Sequence, residues 1–208
     1  MNWKLIVKDI KKQPAIGTYT DWKEQIAEEC FFQCVYCSIH ESQFGGIDHY
    51  HIDHFKPKIK FPKHINDILN LFYTCPICNR FKNDDWPGEP DLNTISYIEP
   101  SKYDYALLFD LNKDFELEGK YTASKYMVLR LYLNRAQLIL ERREAHRRNR
   151  ESELRESINT LLLDVDKLDK DYAFEIVMSV TQVFNNLLTL EQKKREIRQY
   201  KLSDIRKS

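Results

Sequence analysis

The C-terminal part of the sequence repeats apolar residues at helical spacing. One set, at steps of three and four, falls on one face of a predicted helix: Tyr126, Leu129, Leu133, Ala136 and Leu140. Two further stripes have polar residues at most intervening positions: Leu154, Ile158, Leu161 and Val165, then Ala173, Ile176, Val180, Val183 and Leu187. The pattern predicts three packed helices, with residues 191–208 as a last helix or a frayed end.

The N-terminal half has a different pattern. Trp22, Ile26 and Ala27 lie at near-helical spacing and predict one short helix. Residues 49–58 alternate between polar and apolar side chains, which predicts a strand. We expect this strand to end at Pro57, because proline removes a backbone donor from the ladder.

These patterns predict the organisation of the chain. Residues 95–118 are typical of short extended pieces and loops, after the breaker formed by Pro87-Gly88-Glu89-Pro90. We therefore predict an α+β protein with a core over 1–95, a connector over 96–120 and a C-terminal α-helical bundle over 121–208.

Composition and charge narrow the class of protein. The chain has 208 residues, of which 42% are hydrophobic, 31% are charged and only 5 are glycine, as in a helix-rich globular protein. A large multidomain assembly is excluded by length. Thirty-two basic and 32 acidic side chains cancel, so any attraction to nucleic-acid phosphates must be local.

The expected compartment is the cytoplasm. We identify no apolar stretch approaching the roughly 20 residues that span a bilayer, and no signal peptide in residues 1–17. Five cysteines in a reducing compartment are more typical of metal ligands or catalytic groups than of disulfides.

Four of the cysteines form two Cys-x-x-Cys pairs, Cys34/Cys37 and Cys75/Cys78. Such pairs aim two thiolates at one tetrahedral ion, so we predict a four-cysteine structural zinc site, with a redox pair or chance spacing as alternatives. Cys30 is interpreted as a buried apolar side chain that could compete as a ligand. A closed four-thiolate shell leaves no open position, so any metal chemistry needs a second ion.

The segment between the pairs carries candidate chemistry. Asp53 and His54 are adjacent near the end of the predicted strand, and Asn79 directly follows Cys78. Carboxylate and amide oxygens suit a hard cation, and imidazole is a base near neutral pH. This combination is typical of phosphodiester hydrolysis.

These residues resemble a known family. His51-Ile52-Asp53-His54-Phe55-Lys56-Pro57-Lys58, then Asn70-Leu71, then Cys75-Pro76-Ile77-Cys78-Asn79-Arg80-Phe81-Lys82 resemble the HNH motif of the His-Me finger, or ββα-metal, endonucleases. With the cysteine pairs and Leu131-Tyr132-Leu133-Asn134-Arg135, the chain is similar to the small HNH subunits of Septu-type anti-phage systems, which also accompany some retrons. The resemblance implies a zinc-stapled ββα-metal nuclease core over 1–95.

The resemblance also implies residue roles. His54 would be the general base that activates water, and Asp53 and Asn79 would hold one catalytic Mg²⁺ or Mn²⁺. Asn70 would clamp the loop that orients His54. The motif's usual last histidine is Asn79 here, and Gly45-Gly46 precedes the Asp53–His54 pair instead of following it.

Several basic residues are candidate substrate contacts. Lys56 and Lys58 could follow a phosphate backbone, although such runs are often solvated strand edges, and Lys82 is the preferred phosphate contact. His51 shares the strand face of Asp53 and could bind metal or substrate, or lie on a polar surface.

A basic cluster on the predicted helix has two interpretations. It could bind nucleic acid, or it could be a helix surface balanced by the acidic segment 151–175 or by a partner. Its members are Arg142, Arg143, Arg147, Arg148 and Arg150.

The resulting hypothesis is a metal-dependent DNA endonuclease that acts as the effector of a defence complex. The resemblance implies an ATPase partner subunit and, in retron-associated systems, a reverse transcriptase with its RNA and DNA; no membrane is expected. The alternatives are a non-catalytic zinc scaffold or nucleic-acid-binding subunit, and a restriction-type nuclease or RNase that acts alone.

Overall fold

The computed structural model describes residues 3–165 and 170–197. Short strands and helices alternate in the first half, and long helices follow, so the predicted α+β class is confirmed at the level of mixed helix and strand. The helices are α1 (Lys23–Glu29), α2 (Pro76–Lys82), α3 (Thr122–Arg130), α4 (Ala136–Val165) and α5 (Lys170–Ile197), and the strands are β1 (His51–His54), β2 (Leu71–Thr74), β3 (Phe109–Leu111) and β4 (Leu117–Gly119).

The strands β1 and β2 form an antiparallel pair, and α2 follows β2 directly. His54 lies opposite Leu71, and every residue of β2 is buried. Helix α2 begins at Pro76, because proline suits the first helical turn and the Cys75 side chain accepts the backbone N–H of Cys78. Because Thr74 lies opposite His51, α2 starts beside the beginning of β1, and its contacts with β1 include the bond from Lys82 to the carbonyl of His54.

The strand predicted over 49–58 is shorter than expected. Residues Ile47–His49 form a 3₁₀ turn, so pairing begins only at His51. The chain turns again after His54, where the backbone N–H groups of Lys60 and Phe61 both donate to the carbonyl of Pro57. The alternation of polar and apolar side chains therefore extends over 49–58, although only His51–His54 pair with β2.

The core around these elements is aromatic. Helix α1 packs on β2 with Ile26 and Ala27 fully buried, which confirms the short N-terminal helix; Trp22 is its buried N-cap residue. The largest fully buried aromatic side chains are Tyr36, Tyr50, Phe55, Phe72, Tyr73 and Tyr97. Phe72 and Tyr73 belong to β2, so this aromatic core includes the β1–β2 pair.

The predicted connector contains a second antiparallel pair, β3–β4. A Cβ atom added at Gly119 would lie 2.4 Å from the backbone nitrogen of Lys125, so only glycine permits this approach of β4 to α3. The compact units of the chain are Met1–Arg142 and Arg143–Ser208. The first unit includes α3. The division at 95 and 120 stays a prediction.

The single helix predicted through Tyr126 and Leu140 is wrong. Helix α3 ends at Arg130, Tyr132 adopts a left-handed conformation with φ of 49°, and α4 begins at Ala136. The side chain of Asn134 bonds both the N–H and the C=O of Leu117, so tertiary contacts hold the break. Apolar spacing alone carried no signal of this interruption.

The second compact unit contains most of α4 together with α5. Leu154 is buried, and five residues of α5 are half-buried as predicted: Ala173, Ile176, Val180, Val183 and Leu187. A separate set of apolar side chains on α5 is exposed: Tyr172, Phe174, Val177, Met178, Phe184 and Leu188. Of the predicted tail, 191–197 belongs to α5 and 198–208 lies outside the described residues.

One stretch within the described residues, Tyr172–Leu190, is long and apolar enough to cross a membrane by length and composition alone. The expectation that no stretch approaches this length was therefore wrong. A single such helix is weak evidence for a membrane span, and Glu175, Gln182 and Asn185 interrupt its apolar surface.

The basic cluster on α4 is largely engaged within the protein. Arg142 is buried and donates to the carbonyls of Phe115 and Leu133 and to Asn134. Acidic neighbours on the same helix balance others: Arg147 pairs with Glu144 and Glu151, and Arg150 pairs with Glu153. These contacts favour the balanced-surface interpretation of the cluster.

Candidate active site and metal centre

The four cysteines of the two pairs converge. Each Sγ atom lies within 4.8 Å of the others, all four side chains are buried, and Cys37 Sγ is 3.7 Å from Cys75 Sγ. Val35, between the first two cysteines, donates its N–H to the carbonyl of Tyr73 on β2, which holds the first pair against the second. Cys30 is separate from the cluster, and its sulfur accepts the N–H of Tyr73.

The arrangement fits a tetrahedral ion. Zn–S bonds of about 2.3 Å place two ligand sulfurs roughly 3.8 Å apart, close to the separation of the Cys37 and Cys75 sulfurs. Hydrogen bonds from the neighbouring thiols lower the pKa of Cys75, while burial raises the pKa of Cys34. A divalent cation would remove this difference between the two thiols, because it favours deprotonation of every ligand sulfur. The four cysteines are therefore positioned to bind a metal, and their donor set suits zinc.

His54 ends β1 with one ring nitrogen engaged. Its Nε2 lies 2.9 Å from the carbonyl oxygen of Ile65. Because a carbonyl only accepts, Nε2 carries the proton and Nδ1 retains its lone pair in the neutral ring. Burial lowers the pKa of His54, and the ring of Tyr19 packs edge-on against it at 4.7 Å. The neutral imidazole is the form that can act as a base.

Asp53 is buried and accepts two hydrogen bonds. Tyr36 donates its hydroxyl to Oδ2 over 2.6 Å, and Lys82 Nζ lies 3.0 Å from Oδ1. The ammonium of Lys82 also donates to the carbonyl of His54 over 2.8 Å. A carboxylate offers about four lone-pair positions, so Asp53 retains acceptor capacity for a cation.

The predicted role of Lys82 as a phosphate contact is wrong. Its side chain is fully buried, and its charge neutralises Asp53 inside the protein. The packing of α2 on β1 explains the difference, because it directs the Lys82 side chain to Asp53 and the carbonyl of His54. Lys82 is therefore a structural partner of the site.

A cleft of about 580 Å³ opens at the end of β1. It brings Asp53, His54 and Asn79 to one surface. Three further polar residues of the cleft were not predicted from the sequence. They are Arg80, which directly follows Asn79, Asn83 and Asp84. The polar residues lining the cleft are Asp53, His54, Lys58, Asn79, Arg80, Asn83 and Asp84.

Asn70 holds the loop that follows His54. Its Oδ1 accepts the N–H of Lys56 over 2.7 Å, and its Nδ2 donates to the carbonyls of Lys56 and His64, both over 3.1 Å. The loop between Lys56 and His64 leads directly to Ile65, whose carbonyl accepts the hydrogen bond from His54 Nε2. Asn70 therefore secures the segment that orients the imidazole.

The remaining candidate contacts divide into two groups. Lys58 lines the cleft. Lys56 instead pairs with Glu89 over 3.2 Å, and His51 is exposed at the start of β1. Among the described residues, neither Lys56 nor His51 lines the cleft.

The comparisons with known proteins concern this segment. No curated protein and no solved structure matches the chain. Residues 34–85 match the family model of the HNH endonucleases. The matched range begins at Cys34 and includes the four cysteines, Asp53, His54, Asn70 and Asn79. The match therefore supports the HNH endonuclease family for the part of this chain that carries the cysteine cluster and the cleft.

Proposed function

We propose that this chain is a metal-dependent HNH endonuclease that hydrolyses DNA phosphodiester bonds, with β1, β2 and α2 as its ββα-metal core. The observation that carries the proposal is the juxtaposition of His54, with its Nε2 tied to Ile65, and two oxygen-donor side chains in one cleft. The family match over 34–85 supports nuclease chemistry.

In this mechanism His54 takes a proton from the attacking water at Nδ1, and the Ile65 carbonyl stabilises the resulting imidazolium through Nε2. Asp53 and Asn79 would hold one Mg²⁺ or Mn²⁺, which supplies charge stabilisation at the phosphate and the leaving oxygen. Tyr36 and Lys82 keep the Asp53 carboxylate in place.

The proposed DNA-binding surface is the cleft, together with the basic residues that line it. Lys58 and Arg80 line the cleft beside His54 and can contact phosphates. Zero net charge provides little non-specific affinity for DNA, because phosphate neutralisation supplies most of such binding. A partner subunit therefore selects the target in this proposal. RNA is the second candidate substrate.

The proposed context is a cytoplasmic anti-phage complex of the Septu or retron-associated type. Its ATPase subunit, and in the retron case a reverse transcriptase with its RNA and DNA, would present the substrate. The exposed apolar residues of α5, including Phe174, Val177, Phe184 and Leu188, support a protein partner, since such surfaces often mark interfaces. Co-purification from the native host, compared between wild type and Phe184→Glu, tests this assignment.

The nuclease proposal is tested with purified protein, supercoiled plasmid and Mg²⁺. We expect cleavage by the wild type and a loss of at least about 100-fold in His54→Ala, because general bases contribute roughly 10²–10⁴ to the rate. Zinc content and the circular dichroism spectrum should remain unchanged in the variant. His51→Ala is the matched control, since His51 is exposed and does not line the cleft.

Two results would redirect the proposal. Equal nicking by wild type and His54→Ala would identify a contaminant and favour the non-catalytic zinc scaffold. Cleavage of single-stranded RNA in preference to plasmid, again lost in His54→Ala, would retain the active site and change the substrate class.

A further inference from the structure

Arg135 lies against the cysteine cluster although it is far from it in sequence. Its Nη2 is 3.6 Å from Cys37 Sγ and 4.0 Å from Cys75 Sγ, and both terminal nitrogens are 3.8 Å from Cys78 Sγ. One guanidinium therefore contacts three of the four candidate zinc ligands. Arg135 lies outside the segment 34–85 that matches the HNH family.

The break between α3 and α4 places this side chain. Arg135 precedes Ala136 at the start of α4, and its Nη1 also donates to the carbonyls of Leu131 and Tyr132. Its Nε is buried and has no hydrogen-bond partner. Among the residues described by the structure, no carboxylate forms an ion pair with Arg135. Among the groups that the guanidinium contacts, the cysteine sulfurs are those that can carry a negative charge.

Charge balance explains why a cation is needed at this position. Four thiolates around one Zn²⁺ carry a net charge of about −2, and burial of such a centre is costly. A guanidinium that donates N–H groups to the sulfurs offsets part of this charge. Arginine suits the position better than lysine, because its planar group presents several donors in fixed directions to several sulfurs at once.

We propose that Arg135 is a cationic clamp on the four-cysteine zinc site, which holds three ligand sulfurs through N–H···S contacts and slows the release of zinc. By this clamp the turn that precedes α4 becomes part of the metal centre. Arg135 is a positioning residue: it contacts ligands of the structural ion, and within the described part of the chain it forms no hydrogen bond with a residue that lines the cleft.

The test measures zinc binding directly, independently of nuclease activity. Full-length zinc-loaded wild type, Arg135→Met and Arg135→Lys are challenged with a chromogenic chelator, and zinc affinity is obtained by competition. We expect Arg135→Met to bind zinc about 10- to 100-fold more weakly and to release it correspondingly faster, as for other partners of metal ligands. Arg135→Lys should fall between the two, since it keeps the charge and loses the planar donors.

Arg148→Met is the matched control, because Arg148 is an exposed arginine of α4. It should keep the affinity and release rate of the wild type. In saturating zinc, Arg135→Met should retain the wild-type circular dichroism spectrum, which separates a clamp from a general requirement for folding.

The proposal is overturned if Arg135→Met and wild type release zinc at rates within about twofold of each other. If Arg135→Met cannot be obtained folded, Arg135→Lys decides. Faster release than the wild type supports the clamp, and an equal rate refutes it. Zinc release tests the clamp, and plasmid cleavage tests the nuclease proposal. Because the two are measured separately, failure of one proposal is distinguishable from failure of the other.

Discussion

Tyr36 donates its hydroxyl to Oδ2 of Asp53 over 2.6 Å, and both side chains are buried. Tyr36 lies between Cys34 and Cys37, so the first cysteine pair is joined through one hydrogen bond to the carboxylate of the cleft. The metal centre and the cleft are therefore parts of one arrangement, in which the cysteine cluster positions a residue of the candidate active site.

Tyr36→Phe tests this connection. The substitution keeps the buried ring and removes one hydrogen bond to a charged group, so we expect a loss of about 1.5–3 kcal/mol in the free energy of unfolding. Plasmid cleavage should fall while zinc content is unchanged. Denaturant unfolding and zinc analysis measure the two effects.

Tyr50→Phe is the control for that substitution, since Tyr50 is equally buried but donates to the neutral carbonyl of Ile39. It should cost less, about 0.5–1.5 kcal/mol, and leave cleavage intact. Equal effects of both variants on cleavage would contradict a specific role for the Tyr36–Asp53 hydrogen bond.

Lys82→Met tests the buried ion pair with Asp53. The pair is nearly inaccessible to solvent on both sides, and removing one partner of such a pair costs about 3–5 kcal/mol. Because the Asp53 carboxylate would then lack its internal cation, Mg²⁺ should raise the melting temperature of the variant more than that of the wild type. A variant whose stability and Mg²⁺ response both equal those of the wild type would show that Lys82 does not neutralise Asp53.

Asn70→Ala should release the loop that follows His54. The substitution leaves the backbone N–H of Lys56 without its acceptor, which costs about 1–3 kcal/mol of stability if that group stays buried. We expect a larger effect on kcat than on KM, because substrate contacts remain while the His54 ring loses its support. Asn70→Asp keeps the acceptor and should recover part of the stability. An unchanged kcat in Asn70→Ala would contradict the orienting role.

The rate of cleavage should depend on pH through His54. Burial lowers the pKa of this histidine below its usual 6.5, and the neutral ring is the active base. Activity should therefore rise with pH through a midpoint below about 6.5 and then level off. A midpoint above 7 in a full pH–rate profile would contradict this assignment.

The same shift has a consequence for stability. Between its folded and unfolded pKa values His54 binds fewer protons in the folded state, so stability falls as pH decreases below about 6.5. Unfolding measurements on wild type and His54→Gln should show that the variant loses this contribution to the acid dependence.

The residues of the cysteine cluster could be predicted because ligand spacing is local. Each Cys-x-x-Cys turn presents two sulfurs whatever surrounds it, and the two pairs meet as expected. The adjacency of Asp53 and His54 likewise needed only their sequence. Lys82 was assigned wrongly because its burial depends on the face that α2 turns toward β1, which local spacing does not specify.

The C-terminal helices show the same limit. Apolar periodicity predicted one helix that continues through residues 131–135, and it missed the break there, because Asn134 and Arg135 are held by residues distant in sequence. Periodicity reports which positions favour burial, and it does not report where a tertiary contact interrupts the backbone.

The amino-acid sequence by itself determined the chemical inventory of this protein: four thiols in paired turns, an adjacent carboxylate and imidazole, and apolar stripes that favour helices. Only the tertiary structure decided how those groups are used, by directing Lys82 and Tyr36 onto Asp53 and Arg135 onto the sulfurs. The physical reason is that ligand turns and helical faces depend on neighbours in the chain. The partner of a buried charge depends instead on which distant segment reaches it when the core closes.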